Sequence, residues 1–149
     1  MTKKKSCGAL LYSKKGGDIG IILGKEYGRW FPMKGCPKKK ESLKETAIRE
    51  IYEETSGIVT VKNKEIKLDC KFETRNKKYY IGLINVPIDI IEQFNVQRIT
   101  KTEKNIEMLE KDELRFYPIK TIDKYTFPGI TTIIIKHYKK YLLHLNSVS

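Results

Sequence analysis

The segment Gly35–Ile58, reading GCPKKKESLKETAIREIYEETSGI, sets Glu50, Glu53 and Glu54 at spacings i, i+3 and i+4. On a helix those positions share one face. Like charges gathered on one turn repel each other, so something positive has to stand among them. Hard divalent cations such as Mg²⁺ or Mn²⁺ take oxygen ligands of this kind. Carboxylate-held metal beside a phosphate is the apparatus of metal-assisted phosphate hydrolysis.

Local chemistry makes the segment helical. Ser42-x-x-Glu45 reads as a capping box at the helix start. Leu43, Ala47 and Ile51 recur every four residues and form an apolar stripe. Gly57 is expected to close the helix, because glycine accepts the left-handed conformation beyond a C-terminus. The acidic face is then held beside a packed one and aimed into a cleft.

The 149 residues suit one domain with one core. No apolar run reaches the length of a membrane span, and the lysine-rich start lacks the apolar stretch of a signal peptide. Cys7, Cys36 and Cys70 are odd in number and widely spaced, which reads as reduced thiols in a cytoplasmic protein. The formal charge is +12. A field of that sign attracts polyanions and speeds their encounter. Twenty-five Lys against five Arg, with twenty Ile, is also the habit of an A/T-rich coding genome.

Along the chain, Cys7–Tyr12 and Ile19–Gly24 read as a hairpin across a Ser-Lys-Lys-Gly-Gly-Asp turn. Glu65–Phe72 and Lys78–Val86 read as strands. Pro87–Thr100 is ambiguous. Leu114–Ile119 reads as a short strand, Thr121–Tyr125 as a helical turn, and Ile130–Leu145 as a long helix with Lys and His on one side.

The acidic segment resembles the Nudix box, Gly-x5-Glu-x7-Arg-Glu-U-x-Glu-Glu-x-Gly-U, where U is bulky and aliphatic. Gly35, Glu41, Arg49, Glu50, Glu53 and Glu54 stand in register. The match slips by one after that, since Thr55 and Ser56 both precede Gly57-Ile58. The resemblance implies an α/β fold, the Nudix αβα sandwich around a central mixed sheet, over residues 1–149. It implies a pyrophosphohydrolase in which water attacks a diphosphate with Mg²⁺ or Mn²⁺ as cofactor. Glu50, Glu53 and Glu54 would hold the ions, with Glu41 as a further ligand or a supporting partner. Glu53 and Glu54 would be catalytic, with Arg49 orienting a glutamate through a salt bridge. Relatives take one more glutamate from a later loop. Glu110 matches best, counting back from Phe116, and Glu107 is the alternative.

The entry Trp30-Phe31-Pro32-Met33-Lys34-Gly35, followed by Lys38-Lys39-Lys40, resembles that of mRNA-decapping Nudix enzymes, including those of large DNA viruses. It implies capped RNA as substrate, with Lys34, Gly35, Lys38, Lys39 and Trp30 in contact with it. Tyr27, Trp30, Phe31, Tyr79 and Tyr80 are the candidate planes for a cationic base. The expected partners are RNA or another polyanionic diphosphate, without a membrane, in a cytoplasm that would be the host's if the chain is viral. The alternatives are hydrolysis of diphosphoinositol polyphosphates or nucleotide derivatives, or a Nudix-fold sensor that binds nucleotide or RNA without turnover.

Overall fold

The computed structural model describes residues 3–103 and 111–148. Its centre is a seven-stranded mixed sheet. The long strands β1 (Lys4–Lys15) and β2 (Asp18–Glu26) form the expected hairpin, paired antiparallel from Leu11↔Ile22 to Lys15↔Asp18. Beyond Leu11 the two strands part. The short strands β3 (Arg29–Phe31) and β4 (Met33–Gly35) fill the gap, β3 against β2 and β4 against Cys7, Gly8 and Ala9 of β1. This splaying brings Lys34 and Gly35 up to the helix that carries the carboxylates.

That helix, α1 (Leu43–Glu54), follows directly. After it come β5 (Cys70–Glu73), β6 (Lys77–Asn85), α2 (Ile90–Glu103), β7 (Glu113–Pro118) and α3 (Gly129–Val148). β6 lies parallel to β1 along Lys4–Tyr12, and β7 runs antiparallel to β2 from Gly20 to Lys25. Single 3₁₀ segments span Asn63–Glu65 and Ile119–Lys124.

Strand alternation sorts the core into two layers. Cys7, Ala9, Leu11 and Ile22 face Ala47 and Ile51 of α1 and Ile90 and Phe94 of α2. Leu10, Ile19, Ile21 and Leu23 face Ile134, Ile135, Tyr138 and Leu142 of α3. Helices therefore cover both sheet faces, the αβα sandwich that the resemblance implies. Among the described residues no helix is long and apolar enough to cross a membrane.

Two expectations need correction. Glu65–Phe72 is a strand only from Cys70 onward; Glu65 belongs to the preceding 3₁₀ turn. Ile66 is buried without a ladder partner, so the apolar signal there came from packing rather than pairing. The exit of α1 also differs. The C-cap is Thr55, and Ser56 adopts the left-handed conformation (φ 55°) one residue before Gly57 (φ 80°). Gly57 N–H donates to the Tyr52 carbonyl (2.7 Å) and Ser56 N–H to that of Glu53 (3.1 Å). That is a Schellman closure with serine where glycine is usual. It absorbs the extra residue without disturbing the turn that holds the carboxylates.

Candidate active site

The site is built on α1. Ser42 Oγ accepts from Glu45 N–H (3.1 Å) and the Glu45 carboxylate accepts from Ser42 N–H (2.9 Å), so the capping box is complete. Ala47 and Ile51 are fully buried against the sheet. Burying Ile51 contributes roughly 2 kcal/mol and fixes the rotation of the helix. That rotation sets Glu50 and Glu54 inward, 8% and 4% exposed. The Glu53 side chain stays 38% exposed at the rim.

Arg49 is the hub. Its guanidinium grips both oxygens of Glu41, through Nε (2.8 Å) and Nη2 (2.9 Å). Nη1 donates to Glu50 (2.7 Å) and to Glu53 (3.2 Å), and Nη2 also donates to the Cys36 carbonyl (2.9 Å). One planar fork thus ties the loop before the helix to two of the box carboxylates. Glu41 also accepts from Thr46 Oγ1 (2.8 Å) and Lys38 N–H (2.9 Å). The Arg49 guanidinium, with these donors, holds the Glu41 carboxyl down at about 2. In this arrangement Glu41 braces Arg49 and the 38–41 loop.

Glu54 has a different environment. Its carboxylate accepts from Lys34 N–H, and Lys111 Nζ stands 3.6 Å from Oε2. Burial pushes the Glu54 acid up to about 8, against the opposing pull of Lys111 and Lys34. Lys111 is fully buried and donates to Glu26 (3.0 Å). Sequence reading missed it, since nothing marks one lysine among twenty-five as buried. Phe31 lies under the same charges, 4.9 Å from Lys34 Nζ and 5.5 Å from Lys111 Nζ. Burial, then the neighbouring Lys111 charge, lowers the Lys34 ammonium.

Among the described residues no three acidic, His or Cys side chains converge on one point. Each box carboxylate is turned to a basic partner instead. The donor set nevertheless suits a hard divalent ion. It is all carboxylate, and its most buried member favours its proton as long as no stronger cation faces it. Gly35, having no side chain, lets the Glu50 carboxylate lie directly against its backbone.

The other sequence candidates fall in distinct places. Lys38, Lys39 and Lys40 are exposed on the loop between Gly35 and α1. Trp30 is anchored, with Tyr117 edge-on (5.8 Å), Arg115 over its ring (4.6 Å) and its carbonyl accepting from Thr131 Oγ1 (2.8 Å). Tyr79 is buried and stacked on Phe72 at 4.7 Å, so it is not an available plane. Tyr80 packs against the α1 layer. Tyr27 is 93% exposed at the β2–β3 turn. Glu107 and Glu110 lie outside the described residues. Cys7, Cys36 and Cys70 are all free thiols.

Known proteins share this fold. The family model for the NUDIX domain matches residues 2–129. The chain belongs to that family, whose members generally act with divalent ions, and it is a Nudix pyrophosphohydrolase. Its fold is similar to the NUDIX domain of Shewanella oneidensis NrtR complexed with ADP ribose (13% identity, 95% of this chain and 90% of that one, TM-score 0.69). It is similar to a mutT/nudix family protein from Listeria innocua (16% identity, 99% and 98%, TM-score 0.66). It is also similar to the C. elegans Ap4A hydrolase (20% identity, 95% and 99%, TM-score 0.59). No curated protein matches the sequence significantly.

Proposed function

We propose that the chain hydrolyses the diphosphate linkage of capped RNA, releasing 7-methylguanosine diphosphate and 5′-monophosphate RNA. The observation that carries this reading is the exposed run Lys38-Lys39-Lys40, on the loop leading from Gly35 into the carboxylate helix. A long polyanion could lie along these ammonium groups with its triphosphate bridge at the box. The formal charge of +12 supports the same class of substrate.

Glu50, Glu53 and Glu54 would hold the divalent ions, which supply charge neutralisation at the phosphates and lower the pKa of the attacking water. Arg49 holds Glu50 and Glu53 in place. The Lys34 N–H orients the Glu54 carboxylate. Glu110, or else Glu107, would take the proton of the attacking water. Tyr27 is the aromatic plane most open to a base; Phe31 already shares its ring with ammonium groups, which disfavours a cationic partner there.

A second reading is a small polyphosphate such as a dinucleoside polyphosphate, another nucleotide derivative or a diphosphoinositol phosphate. The likeness to the Ap4A hydrolase along nearly the whole chain favours it. Competition in one reaction between cap-labelled RNA and Ap4A separates the two. Preference for RNA supports decapping, and turnover of Ap4A with inert RNA supports the small substrate.

A further inference from the structure

Lys111 stands where a positive charge is wanted. It is fully buried, yet its ammonium faces Glu54 (3.6 Å), Glu26 (3.0 Å) and the Phe31 ring (5.5 Å). The slot for its stem exists because residue 24 has no side chain: a Cβ on Gly24 would stand 2.7 Å from Lys111 Cδ. Asp112 N–H donates to the Lys25 carbonyl (2.8 Å), which pins the start of β7 to β2 and sets the lysine in this slot. An ammonium and a divalent ion cannot share the inner oxygen of one buried carboxylate, since like charges a few ångström apart repel strongly in a dry site.

We propose that Lys111 Nζ occupies the place beside Glu54 that a divalent ion would take, so that the ion must displace the ammonium in order to bind there. The displaced ammonium, still tethered by its stem beside Gly24, is then free to meet the phosphates of the substrate. This rests on the assignment of Glu54 as a metal ligand. It makes the apparent metal affinity the balance of an exchange rather than of simple coordination.

The test is a titration of the whole chain with Mn²⁺, following free ion by electron paramagnetic resonance. Lys111→Met keeps the unbranched stem in the Gly24 slot and removes the charge. The variant should bind Mn²⁺ more tightly by about tenfold or more, as loss of a nearby unit charge implies. Equal or weaker binding by the folded variant overturns the exchange. Absence of Mn²⁺ binding in both chains overturns the metal assignment itself. The wild-type chain gives an independent measurement, should the variant fold poorly. Acylation of lysines, read by mass spectrometry, should show Lys111 protected without Mn²⁺ and reactive with it, while exposed Lys64 reacts equally in both. Protection of Lys111 at saturating Mn²⁺ overturns the proposal.

Discussion

The carboxylate of Glu50 lies against the backbone of Gly35, so closely that a Cβ on residue 35 would stand 2.1 Å from Glu50 Cδ. The glycine that opens the box and the first glutamate of its acidic turn thus form one contact. Gly35→Ala should drive Glu50 off its position while leaving the sheet intact. Displacement of a reacting geometry by about 1 Å costs on the order of a hundredfold in rate. Steady-state kcat/KM alongside circular dichroism checks this. An active, folded Gly35→Ala chain would show that Glu50 need not sit where it does.

Arg49 makes its contacts through the shape of its fork, so lysine cannot replace it. Arg49→Lys can keep one of the bonds to Glu41, Glu50, Glu53 and the Cys36 carbonyl, but not all. Loss of charged hydrogen bonds in a half-buried network should lower stability by about 2 kcal/mol. Urea denaturation at neutral pH measures it. Activity should fall further than stability, because Glu50 and Glu53 lose their common tether.

Two carboxyls give stability opposite slopes with pH. Glu41 is held at about 2, so its contribution is present above the ordinary carboxylate range and is lost as pH falls toward 2. Glu54 is raised to about 8, so the folded chain holds a proton that the unfolded chain has released. Its contribution is present below the ordinary carboxylate range and is lost as pH rises through 8. Without metal, thermal stability should therefore decline from mildly acid to mildly alkaline pH. Mg²⁺ should reverse that decline, because it favours ionised Glu54, and the stabilisation by Mg²⁺ should grow with pH. Differential scanning calorimetry with and without Mg²⁺ reads both arms.

Serine at the left-handed position after α1 is a strained choice. Ser56→Gly should stabilise the fold by about 1 kcal/mol, since glycine adopts that conformation freely. For a chain of this size that is about 3 °C in Tm. An unchanged Tm would mean that added freedom in the unfolded chain cancels the relief.

The parts of this account that were legible in the sequence depend on near neighbours. Ser42 and Glu45 cap the helix from three residues apart, Leu43, Ala47 and Ile51 state its buried stripe, and Glu50, Glu53 and Glu54 share a face by spacing alone. The β1–β2 hairpin is local in the same sense. What stayed hidden depends on distant pairing. Lys111 meets Glu26 and Glu54 only because β7 lies beside β2. Ile66 alternates like a strand residue but packs into the core layer shared by α1 and α2 without a ladder. The helix α2 was ambiguous because its apolar residues show little one-sidedness. The left-handed Ser56 had no signal, as serine carries none for that conformation.

The most direct test of the central claim is product analysis on long RNA with a radiolabelled cap, in Mg²⁺ and in Mn²⁺, for the wild-type chain and Glu53→Gln. The account predicts release of 7-methylguanosine diphosphate, at a rate competitive with Ap4A, and its loss by orders of magnitude in a folded Glu53→Gln chain. Inert RNA beside rapid turnover of the small substrate would contradict decapping, and unchanged release by Glu53→Gln would contradict the acidic turn as the seat of the chemistry.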